Sequence, residues 1–449
     1  MATTAEDLNR RSAGISFQEL IRNDVVPPAP PLTWENPLDV PLTSVPVSRY
    51  TSQAFYDLEM QELWPKVWQM ACREEEIPEI GDYYLYEIGL NSIIVVRTHQ
   101  GIRAHHNVCR HRGRKLCDFE TGHAASFICP FHGFSWNIDG SLRTVTSDWD
   151  FPHIDQNDFD LTPVQTGCWG GWVFVNMDMN AAPLSDFIGD LPQHFEYWAP
   201  ENRYVEAHVG KVMKANWKLC QEAFMEAFHV ITTHPQILTG IGDENSQYDA
   251  WGNFSRAITP NGTPSPHIRR QPNEQELFDA VTMRALDDPP NPEVPEGTTA
   301  RAMMAAGARA ALQPIIGEGV SIGDSDVSDS IYYTLFPNFH PWGGYNRIVY
   351  RFRPWQNRLD RCLMECYYLK PFAGERPAPA PLHLLDEDTP WTEAPELGLL
   401  AKVFTQDTFN LPQVQAGLMA AKYDEVVFAR YQETKIRHFH HLLSQQVGG

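Results

Sequence analysis

Strand-like runs of apolar residues come at Tyr83 to Ile88 and at Ile93-Ile94-Val95-Val96. Just after them, Trp136-Asn137-Ile138-Asp139-Gly140-Ser141-Leu142 reads as a hairpin closed by an Asp-Gly turn. Upstream, Phe55, Leu58, Leu63 and Trp64 fall near one stripe of a helix over 52–68. Short strands and tight turns predict a small β domain over 48–162. Gly170-Gly171-Trp172-Val173-Phe174-Val175-Asn176 starts a second region, over 163–449. It mixes strands, at 331–336 and 346–354, with long helices, the last from Leu411 onward. Stretches 286–297 and 371–395 are rich in Pro and acids and read as loops. The Pro-rich residues 24–48 predict an extended arm, within a segment 1–47 that is a loose tail in a monomer or a wrap on a neighbour in an oligomer. The fold class expected is α+β, an all-β domain followed by a mixed one.

Composition narrows the function classes. At 449 residues the chain can hold two domains, and 43% hydrophobic residues is ordinary for a globular protein. A net charge of -22 argues against nucleic acid or an anionic membrane as partner, since both need a basic surface. There is no membrane-length apolar run, and Met1 to Asp7 carry no apolar leader core. The eight Cys show no regular framework. A reducing cytoplasm is the expected compartment.

The chemistry is concentrated in two places. Cys109-Arg110-His111 and Cys129-Pro130-Phe131-His132 form C-x-H, seventeen residues, then C-x-x-H. Two Cys and two His in that order suit a Rieske [2Fe–2S] centre, with both Cys on one iron and both His on the other. Cys2His2 also suits zinc, but zinc fingers pair Cys with Cys and His with His, whereas each half-site here carries one of each. The second place is Asn216 to His229, helix-like, followed by His234-Pro235. On a continuous helix Glu222, Glu226 and His229 share one face. Pro235 biases His234 out of the helix, so the chain can turn it back toward His229.

Both segments resemble the bacterial Rieske non-heme iron ring-hydroxylating oxygenases, in the large α subunit. The likeness is strongest at Asn107–Gly113, Cys129–Trp136 and 216–235. It implies a Rieske domain on Cys109, His111, Cys129 and His132, and a helix-grip catalytic domain, an antiparallel sheet with flanking helices. It also implies a mononuclear Fe(II) on His229, His234 and a late carboxylate, for which Asp407 in Gln406-Asp407-Thr408 is the choice over Asp386 or Asp388. O2 is the implied co-substrate, and NAD(P)H supplies electrons through a partner reductase, with or without a ferredoxin. The implied assembly is a homotrimer, or α3β3 with a small β subunit, in which Glu226 links His229 to a neighbour's His132. The implied reaction hydroxylates a hydrophobic small molecule, an aromatic or polycyclic compound leaving as a cis-dihydrodiol or phenol.

This chain departs from the common family pattern at Glu226 (usually Asp), Ala223 (usually Asn) and Phe228 (usually Tyr). Homotrimeric relatives that demethylate small ammonium compounds also carry Glu there, so a monooxygenase or demethylase is the alternative. A pure electron carrier is a third reading. Phe224, Phe228, Phe336, Phe339 and Trp342 are the apolar residues expected near iron, with ordinary core as the rival explanation. Arg347, Arg351 and Arg353 alternate on one strand face, either as a carboxylate anchor or as salt-bridge partners. His438, His440 and His441 read as a solvated helix end rather than a metal site.

Overall fold

The computed structural model describes residues 12, 14–38, 40–282 and 289–448. The expectations placed on Met1 to Asp7 and on the start of the 286–297 loop lie outside the described residues. The chain divides into two compact units.

The smaller unit comprises Asp57–Phe187 and Pro354–Arg358. Its seven-stranded antiparallel sheet runs, in spatial order, Gln69–Arg73, Trp172–Asn176, Pro163–Trp169, Gly101–His106, Asn91–Thr98, Asp82–Ile88 and Thr121–His123. A three-stranded sheet, Ser126–Ile128, Ser135–Asn137 and Leu142–Thr144, carries the expected turn, with Gly140 at φ +91°. The boundary differs from the one expected at 162. Gly170 and Gly171, both at positive φ, close a hairpin inside this unit. The second strand of that hairpin is wholly buried and pairs with Gln69–Arg73, so 163–176 belong with the β unit.

The larger unit holds the described residues before Asp57, those of Ile188–Arg353 and those from Leu359 on. Its eight-stranded sheet runs Gln247–Trp251, Phe254–Thr259, Ser330–Leu335, Phe339–Pro341, Ile348–Pro354, Cys362–Pro371, Arg203–Met213, Leu382–Leu385. The last strand lies in the stretch read as loop; it is a short parallel edge strand beside Arg203–Met213. Helix Leu400–Met419 packs on Trp217–Glu222, and helix Thr434–Val447 on the first two strands of the sheet. The class is α+β, as expected.

In its described part the arm is not a loose tail, because it packs along its own chain. Ser44–Pro46 pairs antiparallel with Glu425–Val427. Prolines leave carbonyls with no matching N–H, and buried arginines supply the donors. Arg256 donates to Pro31 O (2.6 Å) and Trp34 O (2.7 Å), and Arg437 to Leu42 O (2.6 Å).

Candidate metal centres

In the smaller unit the two motif loops have the same shape. Cys109 N–H donates to Arg114 O (2.8 Å) and Gly113 N–H to Cys109 O (2.9 Å). Cys129 N–H donates to Phe134 O (2.8 Å) and Gly133 N–H to Cys129 O (2.9 Å). Gly113 and Gly133 both sit at φ +78°, where a side chain is strained. The Asn107 amide anchors the first loop: its Oδ1 accepts from Leu116 N and Cys117 N, and its Nδ2 donates to Ser92 Oγ and Cys117 O. Cys109 and Cys129 are buried, and the His111 and His132 rings lie 4.6 Å apart, centre to centre. Both Nδ1 atoms are buried with no hydrogen-bond partner, a cost that a metal bond removes. Among the described residues, no three of these four ligating atoms gather within 4.8 Å of one another. A tetrahedral zinc needs its ligands about 3.5–4 Å apart. The donor set fits a two-iron cluster better than one zinc.

In the larger unit the helix beginning at Trp217 ends at Glu222, not at His229. Two turns follow, Phe224 N to Gln221 O and Met225 N to Glu222 O. Glu226 then accepts the His229 backbone N–H (2.9 Å), which fixes the start of the helix Val230–Thr233. Glu222, Glu226 and His229 therefore do not share one helix face. His234 ends that short helix in a non-helical conformation before Pro235, as the Pro predicts.

The turn brings His229 and His234 together with Asp407 of helix Leu400–Met419. Their ligating atoms lie within 4.8 Å of one another, the one such group among the described residues. His234 Nε2 is 2.5 Å and His229 Nε2 3.5 Å from Asp407 Oδ1. Each imidazole is held from behind through Nδ1: His229 by Glu226 Oε1 (2.8 Å), His234 by Gln406 Oε1 (3.0 Å). Both acceptors place the ring proton on Nδ1 and leave Nε2 free to ligate. Burial pushes the His229 pKa down, but Glu226 and Asp407 outweigh it and carry it to about 10 in the metal-free protein. Burial likewise opposes ionisation of Asp407, and the two histidines overcome it and lower its pKa. Two His and one carboxylate with open positions fit a non-heme iron.

The rival carboxylates are elsewhere. Asp386 is exposed and accepts from Thr389, and exposed Asp388 pairs with Lys214. Arg351 and Arg353 bind the buried Glu365, and Arg347 pairs with Glu206 at the surface. The salt-bridge reading of that strand is the one observed. His438 and His440 are buried, contrary to the solvated reading: Arg49 and Glu222 cover His440, and His438 Nε2 donates to Gly252 O (3.0 Å).

A cavity of about 160 Å³ adjoins the triad, lined among others by Tyr332, Trp342, Tyr350, Phe224 and Phe404. Of the expected aromatics, Phe224 and Trp342 line it. Phe336 and Phe339 are core, and Phe228 is 47% exposed. The sequence reading missed Tyr332, Tyr350 and Phe404. The alternation of the two strands carrying the tyrosines was the available signal. A second cavity, about 620 Å³, also has Glu226, His229 and Asp407 in its lining.

Residues 67–152 match the Rieske [2Fe-2S] domain, and 194–449 match the catalytic domain of the ring hydroxylating alpha subunit. The chain belongs to the ring-hydroxylating α-subunit family, and carries that family's two cofactor domains. It is 34% identical over 196 residues to the glycine betaine monooxygenase oxygenase subunit of Pseudomonas aeruginosa (43% of this chain, 46% of that one). It is 33% identical over 193 residues to the anthranilate 1,2-dioxygenase large subunit of Acinetobacter baylyi (41% of each). The chain spans about half the length of the curated relatives it matches. In fold it is similar to a quaternary ammonium Rieske monooxygenase (TM-score 0.62, 18% identity, covering 90% of this chain and 95% of that one). It is also similar to naphthalene 1,2-dioxygenase with indole bound (TM-score 0.62, 18% identity, covering 91% and 92%). Among the described residues no helix is long and apolar enough to cross a membrane.

Proposed function

We propose that the protein is the terminal oxygenase component of a Rieske non-heme iron system that oxidises a compact methylated ammonium compound. Cys109, His111, Cys129 and His132 hold the [2Fe–2S] cluster, and His229, His234 and Asp407 hold the Fe(II). When bound, the cluster supplies electrons one at a time and the iron activates O2. Glu226 and Gln406 fix the ring orientation and tautomer of the two histidines. A partner reductase, with or without a ferredoxin, reduces the cluster. By the family likeness, Glu226 would take a neighbour's His132 as a second partner in a trimer.

The observation that carries the substrate reading is the small cavity. Its volume, about 160 Å³, is close to the ~150 Å³ that holds one benzene ring. Trp342 meets Tyr350 at 90° (6.1 Å) and Tyr332 at 33° (5.4 Å), so three rings wall it. Rings at these angles suit an alkylammonium head through cation–π attraction. The lining includes Glu226 and Asp407 and neither Lys nor Arg, which disfavours a carboxylate facing the iron. The apolar walls favour a second reading, hydroxylation of a neutral single-ring aromatic.

Single turnover of chemically reduced protein under 18O2, read by mass spectrometry, tests this. One labelled oxygen or formaldehyde release from a methylated amine is expected. Two labelled oxygens in a ring product would replace the first reading with the second. No product from methylated amines, single-ring or polycyclic compounds would overturn both.

A further inference from the structure

The oxygenation proposed above must be fed with protons. Oxidation of one methyl group on a quaternary nitrogen consumes one O2, two electrons and two protons, and yields a hydroxymethyl group and one water. One oxygen atom enters the C–H bond, and the other leaves as water after taking both electrons and both protons. The carbinol then breaks its C–N bond and releases formaldehyde, with the N lone pair left on the amine and one proton returned. Donor protein supplies the electrons. The fold must supply the protons in a cavity walled by aromatic rings.

A buried polar group outside the metal site answers that need. Glu222 lies seven residues before His229, at the end of its own helix, and is 8% exposed. Tyr50 Oη reaches both its oxygens (3.1 and 3.0 Å), and His440 Nε2 lies 2.9 Å from Oε1. Tyr50 Oη is also 2.8 Å from His440 Nε2. Arg49 Nη1, which can only donate, is 3.1 Å from His440 Nδ1. That contact makes Nδ1 the acceptor and places the imidazole proton on Nε2, facing Glu222. Three protonatable groups are thus linked in a ring. Glu222 also lines the 620 Å³ cavity, together with Glu226, His229, Asp407 and Glu433. A space of that size holds a chain of waters, each taking about 30 Å³.

We propose that Glu222, backed by Tyr50 and His440, is the proton-relay residue of the oxygenation site, passing protons across this cavity toward the triad. This rests on the oxygenase reading. The charged surroundings are compatible with a proton held at neutral pH. Burial raises the Glu222 pKa; the Tyr50 hydroxyl, Lys218 and Arg49 lower it, Glu433 raises it, and the balance is about 8. Glu433, also on the cavity wall, is raised by its own burial to about 7, with Glu226 adding to the rise. A carboxyl in this range gives and retakes a proton near neutrality.

The test is Glu222→Gln in the iron-loaded holoenzyme, which keeps the shape and most hydrogen bonds. Infrared difference spectra come first, because they do not depend on turnover. Wild type should show a protonated carboxyl band that titrates near pH 8 and is missing in E222Q; Glu433→Gln, which should keep it, separates the two carboxyls. In turnover, iron content and cluster spectrum should be unchanged, while kcat falls at least about ten-fold. Wild type should lose rate as pH rises through about 8, and that loss should vanish in E222Q. Should E222Q fail to fold, Tyr50→Phe is read the same way, with a several-fold fall in kcat and a shifted band. Either folded variant matching wild type within about two-fold, with the alkaline limb intact, would make the cluster purely structural and overturn the relay. Wild type that yields no product from any substrate class would defeat the oxygenase reading and the relay together; product from wild type and variant alike would defeat the relay alone.

Discussion

The two metal centres are built by opposite means. In the smaller unit all four proposed ligands come from one stretch of 24 residues, Cys109 to His132, folded as two copies of the same glycine-closed turn. In the larger unit His229 and His234 are near neighbours in sequence, but the carboxylate comes from a helix 173 residues later. Local turns fix one centre. Packing of distant elements fixes the other. The first should therefore keep its geometry when the larger core is disturbed, and the second should not.

The sharpest way to break this comparison is to remove a ligand from the packed site. His234→Ala is expected to abolish oxygenation while leaving the cluster spectrum intact, with iron falling from about three to about two per chain. Asp407→Ala should do the same, and Asp388→Asn, at an exposed surface pair, should not. Iron analysis with the visible spectrum decides it. A spectrum lost along with the mononuclear iron would mean that the centres are not independent.

What the sequence made legible follows the same division. The cluster loops, the Asp139-Gly140 turn and the short strands are local, and all could be read from spacing. The hairpin around Gly170 and Gly171 was misplaced because its pairing strand, Gln69–Arg73, lies about a hundred residues upstream. The segment 216–229 looks helical throughout by periodicity. Its break after Glu222 depends on Glu226 accepting the His229 N–H, a local competition that a stripe of apolar residues does not report. His440 read as solvated because its partners, Tyr50 and Glu222, are 390 and 218 residues away. Asp407 came from family likeness rather than pattern.

Below the ligands in size comes the core charge cluster of the larger unit. Burial opposes ionisation of Glu365, but Arg351 and Arg353, with His208, hold its carboxyl well below the ordinary 4.5. A lowered folded pKa adds stability that is present above the ordinary carboxylate range and is lost as pH falls through the folded value. Glu365→Gln strands two buried guanidinium groups and should cost about 3–5 kcal/mol. Its stability should also depend less on acid than that of wild type. Denaturant melts at two pH values check both, and an acid limb unchanged in the variant would place the acid sensitivity elsewhere. The comparison predicts that the cluster spectrum survives until the unfolding transition.

The reverse disturbance is Asn107→Ala. It removes the four hydrogen bonds that pin the first cluster loop, three of them to backbone groups. About 1–3 kcal/mol of destabilisation is expected, from stranded buried donors and acceptors. The cluster spectrum should weaken while His229, His234 and Asp407 still bind one iron. Smaller again is Trp342→Leu, which takes one wall from the cage. A loss of about 1–2 kcal/mol of cation–π attraction predicts a KM for a methylammonium substrate raised about ten-fold. A neutral ring of similar size should lose less, and equal losses for both would favour the aromatic reading.

The smallest effect separates two accounts of the same loop. Arg114 makes a two-pronged ion pair with Asp118 (2.8 and 2.7 Å) a few residues after Cys109. It is the most visible polar contact near the cluster, and it lowers the Asp118 pKa. Both side chains are open to solvent, where water and salt screen the attraction and ordering two side chains costs entropy. The Asn107 bonds are sheltered from both losses. Asp118→Asn should therefore leave Tm and the cluster spectrum unchanged within error, at low salt as well as high, while Asn107→Ala lowers the first and weakens the second. A fall in Tm for Asp118→Asn comparable to that for Asn107→Ala would mean that the loop is held from its surface, and that the buried amide only fills the space behind it.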